Sequence, residues 1–226
     1  MAVGRTPVFC ARKIGGLIVK LPIALLSLLA LCLIALPAAA QVVYSNGPIN
    51  GTTDGWTINF GFVVSDTFTV GSGGANITGL TFGAWIFPGD VLSGVEVQIT
   101  SSEFGGTVYS DQFISITQSN CSGNQYGFNV CTESGNFGTS VNLPGGTYWL
   151  NLDNGEVPDD PVYWDENSGP SQASENTVGT IPSESFTLLG TGTTTTNTTS
   201  VPEPSSVLLV GSGILGLAGL LRRKLF

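Results

Sequence analysis

Between residues 41 and 190 the apolar positions recur with a period of two. Trp56, Ile58 and Phe60 share one side of an extended segment, and Val95, Val97 and Ile99 alternate with Glu96 and Gln98. Phe113 and Ser115 alternate with Ile114 and Ile116, and Tyr148, Leu150 and Leu152 follow the same rule. Residues two apart lie on one face of a strand, so each run predicts a half-buried strand, and no stretch of a dozen residues there carries a 3.6-residue period. The pattern predicts strands over 42–45, 56–63, 66–70, 76–87, 92–101, 107–117, 125–131, 138–143, 146–152, 161–165 and 184–189. Glycine- and proline-rich turns separate them: Gly71-Ser72-Gly73-Gly74, Pro88-Gly89-Asp90, Gly105-Gly106, Pro144-Gly145-Gly146 and Asp153-Asn154-Gly155. Gly105-Gly106 and Leu143-Pro144-Gly145-Gly146 read as hairpins. Residues 166–183 are polar and turn-rich, and predict a long surface loop before the last strand. Many short strands at this spacing imply an all-β domain over 41–190, an antiparallel β-sandwich of jelly-roll type rather than a closed barrel.

Two apolar runs break the alternation. Residues 21–36 follow Arg5, Arg12, Lys13 and Lys20 and precede Ala38-Ala39-Ala40, which predicts a signal peptide over 1–40, cut before Gln41. A lipoprotein reading would need Cys32, but Leu31 before it is too large for that processing. Near the other end Val207 to Leu221 has no polar face, and predicts a transmembrane helix over 205–221 with a basic tail at 222–226. The fifteen-residue run spans roughly 22 Å against a hydrocarbon core of about 30 Å, a marginal crossing. Arg222, Arg223 and Lys224 would stay on the cytoplasmic side, as would the N-terminal cations. The alternative, a buried core helix, sits poorly with three adjacent cations at its end. Between body and helix, Thr-Gly-Thr-Thr-Thr-Thr-Asn-Thr-Thr-Ser over 191–200 cannot bury enough apolar surface to fold and reads as a linker that could carry O-linked sugar.

Val201-Pro202-Glu203-Pro204, a short gap, the apolar helix and Arg222-Arg223-Lys224 together resemble the PEP-CTERM sorting signal, a bacterial C-terminal tag read by the membrane protease exosortase. The resemblance covers 201–226 and rests on Pro202, Glu203, Pro204, Arg222 and Arg223. It implies export, transient retention in the inner membrane and cleavage near Pro202-Glu203-Pro204. Release to the cell surface or extracellular matrix would follow, in a setting associated with exopolysaccharide. It leaves the role of residues 41–190 open.

Charge narrows that role. The seven Lys and Arg all lie within 5–20 or 222–224, the chain has no His, and of its sixteen Asp and Glu only Glu203 falls outside 41–190. An exported body without a cation repels nucleic acid and phosphate. It also lacks the base of a Ser/His/Asp triad and the cationic clamps of most active sites, leaving only a carboxylate pair such as Asp165 with Glu166, or Glu96 with Asp111. The expected function is therefore a non-enzymatic surface or matrix protein without a catalytic residue. A carbohydrate-binding module is the alternative, and a carboxylate-pair glycosidase the third. Cys121 and Cys131, the cysteines left after the signal peptide, predict a disulfide. Asp153, Glu156, Asp159 and Asp160 form the densest acidic stretch and could ligate calcium, although an acidic turn needs no metal and no other cofactor is expected. Trp56 and Trp85 alternate with apolar neighbours and read as core, whereas Trp149 and Trp164 sit in adjacent aromatic pairs and could stack on sugar rings.

Overall fold

The computed structural model describes residues 40–192, which hold strands and no helix. The expected signal peptide, the linker beyond 192, the helix over 205–221 and the sorting residues Pro202, Glu203, Pro204, Arg222 and Arg223 lie outside the described residues. In chain order the strands are β1 (Gln41–Ser45), β2 (Gly55–Thr57), β3 (Val64–Val70), β4 (Ala75–Ile86), β5 (Gly94–Ser102), β6 (Gly105–Ser115) and β7 (Thr117–Gly123). They continue with β8 (Asn129–Leu143), β9 (Gly146–Glu156), β10 (Tyr163–Asn167), β11 (Ala173–Glu175), β12 (Gly179–Ile181), β13 (Ser183–Glu184) and β14 (Phe186–Gly192).

Two antiparallel sheets share one core. The first is organised about β4. Strand β8 pairs along one edge of β4 from end to end, with β7 outside it. The other edge is divided: β14 covers Ala75 to Phe82, and β10 takes over at Ala84 and Trp85. β1 then flanks β14, while β2 and β13 flank β10. The second sheet has the order β12-β11-β3-β9-β5-β6.

The alternation read from the sequence places the core. Phe82, Ala84 and Ile86 of β4, Trp164 of β10 and Phe186 and Leu188 of β14 point inward from the first sheet. Val64 and Phe68 of β3, Leu150 and Leu152 of β9, and Val95, Val97 and Ile99 of β5 meet them from the second. Burial of each large side chain stabilises by about 1.5–3 kcal/mol relative to exposure.

Four expectations differ from the structure. Residues 125–131 and 138–143 are not two strands, because β8 runs unbroken for 15 residues. A bulge opposite Ile77 and Gly79 of β4 absorbs the extra length between the two expected segments. Residues 143–146 do not form a hairpin: β8 belongs to the first sheet and β9 to the second, so the Pro-Gly turn is a crossing between layers. The strand over 56–63 stops at Thr57, because Phe60 and Gly61 turn the backbone with φ of 56° and 88°. The surface loop over 166–183 instead contains β11, β12 and part of β13. Ala173, Ser174 and Glu175 are buried where β11 extends the second sheet past β3. The Gly105-Gly106 hairpin is present between β5 and β6.

The disulfide Cys121–Cys131 is formed. It crosses from edge strand β7 to β8 at a bulge between Ser119 and Ser122, where Asn120 takes a left-handed φ of 52°. β7 is mostly exposed along its length and has little apolar burial of its own, so the crosslink supplies order that packing does not. Closing so short a loop stabilises by about 2–3 kcal/mol in the chain-entropy model. Replacing both cysteines with serine is expected to lower Tm by on the order of 10 °C while leaving the far-UV β signature intact. Calorimetry on the full-length chain in detergent checks this, and an unchanged Tm would show that β7 is held by its backbone ladder alone.

Candidate functional site

The aromatic residues separate by strand face. Trp164 lies opposite Ala84 on β4, so it turns into the core and is fully buried. Its ring stands edge-on to Phe82 and Phe186 at 6.3 and 5.7 Å, and its Nε1–H donates to the Ser185 carbonyl at 2.9 Å. Trp164 is therefore a core residue and not part of a sugar-stacking surface. Trp149 is half-buried on the outward side of β9, in register with Thr67 and Thr100. The two tryptophans belong to different sheets and form no common platform. Trp56 packs against the core and donates from Nε1 to Glu166 at 3.0 Å.

Trp85 departs from its expected place in the core. It lies on the outer face of β4, one position out of phase with Ala84 and Ile86, and is buried there by a loop rather than by the opposite sheet. The Tyr126 ring stacks on it at 5.5 Å and 19°, and Phe128 lies 6.0 Å away. Phe87 and Tyr163 pack edge-on against Phe128 and complete an aromatic group on this outer face. Tyr126, 54% exposed, presents its second face to solvent. Periodicity could not find it, since it stands in the turn between β7 and β8. The local signal is Asn124-Gln125-Tyr126-Gly127: Asn124 Oδ1 accepts from the Tyr126 and Phe128 amides at 3.0 Å, and Gly127 has a φ of 90°.

The acidic stretch does not gather. Asp153 pairs in register with Glu96 on the outer face of the second sheet, and burial together with Glu96 and Asp111 pushes its carboxyl up to about 6. Asp111 is raised by burial and by its hydrogen bond to Glu96. Glu156 instead accepts from Ser93 Oγ at 3.3 Å, and Asp159 sits in a turn with a φ of 56°. Among the described residues no three His, Cys, Asp or Glu side chains converge to hold a metal ion. Asp165 and Glu166, adjacent on β10, serve opposite faces. Asp165 accepts from the amides of Asn50 and Gly51 at 2.9 and 2.8 Å and from Trp85 Nε1 at 2.6 Å, while Glu166 accepts from Trp56 on the inner side.

Further carboxyl groups are buried with no cation to meet them. Asp66 accepts from Asn46 Nδ2 at 2.9 Å and from the Glu184 amide at 2.7 Å, yet burial still raises it to about 6. Glu184 lies opposite Glu166, fully buried, with both carboxyl oxygens unpartnered. Burial, then Asp66, Glu166, Asp165 and Asp54, hold it well above the usual carboxylate range. Glu133 on β8 faces the same way as Phe82, also with both oxygens unpartnered, and burial alone pushes it up to about 8. Such groups are stable as neutral acids.

A cleft of about 430 Å³ opens beside the Tyr126 turn, lined by the loop at 49–52, the bulge of β7, the turn at 123–125 and β8 at 130–132. None of its lining residues is ionisable. The loop is seated by Asp165 and by Asn124 Nδ2 donating to the Gly51 carbonyl at 3.3 Å. Gly51 itself is fixed as glycine, since its φ is +64° and a Cβ would come within 2.6 Å of Val130 Cγ2.

Residues 200–224 match the family described as the PEP-CTERM protein-sorting motif. No curated protein matches the chain.

The buried acids set a pH dependence of stability. For Glu133 the folded value of about 8 lies above its ordinary 4.5, so its contribution is complete below pH 4.5 and is lost as pH rises through about 8. Asp66 acts in the same direction between 3.8 and about 6. Tm of the full-length chain is expected to be higher at pH 5 than at pH 8.5 by on the order of 10 °C, and Glu133→Gln should flatten the upper part of that slope. A Tm that rises from pH 5 to pH 8.5 would contradict this assignment.

Proposed function

We propose that this chain is an exported, non-enzymatic surface or matrix protein. Its body is a jelly-roll-type sandwich delivered by exosortase, with no catalytic residue and no cofactor. The observation that carries this reading is the sorting-motif match at 200–224, placed after a body without a single cation and opposite a signal-peptide pattern at 1–40. In this scheme the helix over 205–221 holds the protein in the inner membrane only until cleavage near Pro202-Glu203-Pro204, and the stretch at 191–200 becomes the free end on the surface.

The carboxylate-pair glycosidase draws little support. Asp165 is engaged by three N–H donors and faces away from Glu166, and Glu96 and Asp111 are hydrogen-bonded to each other. Calcium at Asp153, Glu156, Asp159 and Asp160 would need these side chains to rearrange, since Asp153 and Glu156 have different neighbours.

Mass spectrometry of the protein from cells with and without exosortase tests the routing. The mature form is expected to begin at Gln41 and to lack Arg222-Arg223-Lys224, and exosortase-free cells should keep the intact C-terminus in the membrane fraction. Mature surface protein that retains those three residues would mean a permanent anchor instead.

A further inference from the structure

We propose that the cleft between the 49–52 loop and the β7 bulge binds an uncharged glycan, with Tyr126 as the stacking platform at its edge. The site is independent of the routing above and needs no sorting step. The first observation is chemical. Apart from the disulfide-bonded Cys131, the polar side chains in the wall are amides and hydroxyls: Asn50, Thr52, Asn120, Ser122, Gln125 and Thr132, with Asn124 behind them. In a body whose charged residues are all acidic, a concavity without one ionisable side chain favours a ligand that carries many hydroxyls and no charge. An amide offers both a donor and an acceptor, which suits vicinal hydroxyls, and an anionic polymer gains no ion pair here while meeting the repulsion of the surrounding carboxylates.

The second observation is which of these groups are already used. Asn124 is committed to its turn and to the Gly51 carbonyl. Asn50 spends Oδ1 on Thr52, which leaves Nδ2 available, and Gln125 donates Nε2 to the Thr52 carbonyl at 3.2 Å, which leaves Oε1. The side chains of Asn120 and Ser122 have no hydrogen-bond partner among the described residues. The wall therefore presents an amide donor, an amide acceptor, a complete amide and a hydroxyl, and about 430 Å³ falls in the range of small-ligand sites.

The third observation is preorganisation. The Cys121–Cys131 bond pins the bulge that carries Asn120, Asp165 seats the opposing loop, and Tyr126 is held parallel to Trp85 before any ligand arrives. Little ordering remains to be done on binding, and the exposed face of Tyr126 can meet the C–H face of a sugar ring.

The test is affinity electrophoresis of the full-length chain in detergent through gels containing a neutral β-glucan, a neutral galactomannan or alginate, with tryptophan fluorescence as a second readout. At least one neutral polymer is expected to retard the protein and shift the fluorescence. Tyr126→Ala should weaken that binding about tenfold, the scale of losing one aromatic contact. Asn120→Gly, which removes the amide and keeps the left-handed φ of 52° without strain, should also weaken it with little change in Tm, whereas Trp149→Phe should leave it unchanged. Alginate should not retard the protein. Binding that survives Tyr126→Ala and Asn120→Gly, equal retardation by alginate, or no retardation by either neutral polymer would overturn the proposal. The C-terminal routing would be untouched by any of these results.

Discussion

The constraint on which this structure depends is that its body must bury carboxyl groups without a cation. A buried carboxylate costs several kcal/mol unless neutral donors surround it or it takes up a proton. Both solutions occur. Asp165 keeps three N–H donors, two from the backbone of the 49–52 loop and one from Trp85, and so ties that loop to β10 and to the outer face of β4. Asp66 receives Asn46 from the segment after β1 and the Glu184 amide from β13, which links the second sheet to both ends of the chain's path through the first. Glu133 and Glu184 find no donors, and burial holds them neutral. Charge-assisted bonds of this kind are short and directional, so they fix loops that apolar packing alone would leave adaptable.

The same constraint joins the body to its surface. With every charged residue of the 41–190 body acidic, neighbouring copies repel one another, and an anionic partner finds nothing on the body to pair with. The uncharged cleft beside Tyr126 is the complement of that rule. It is held by Asp165 from behind, so a carboxylate positions the site without facing into it.

Much of the fold was legible in the chain because a half-buried strand writes its period directly. Val95, Val97 and Ile99, or Leu150 and Leu152, could only face a core. The failures have physical causes. Pro144-Gly145 has the same turn chemistry whether the chain folds back within a sheet or crosses to the other, and only pairing decides. Trp85 sits in an apolar run and Trp164 in an aromatic pair beside two acids, but Ala84 and Ile86 set the inward phase of β4, which sends Trp85 out and, by register with Ala84, brings Trp164 in. Glu133 and Glu184 gave no sign of burial, since Glu133 fell between two expected strands and an acid at the start of a strand reads as the solvent face. The site was less legible than the fold: the expected Trp149 and Trp164 are on different sheets, while Tyr126 lies in a turn, outside any alternation.

The buried acids of this body are kept neutral or satisfied by N–H donors, and carboxyl carbon NMR of the isotopically labelled full-length chain in detergent reads their protonation directly. Glu133 should titrate near 8 and Asp66 near 6, with Glu184 also far above the ordinary carboxylate range. If all three titrate at ordinary carboxylate values, these groups are not buried without counter-charge, and the central claim is wrong.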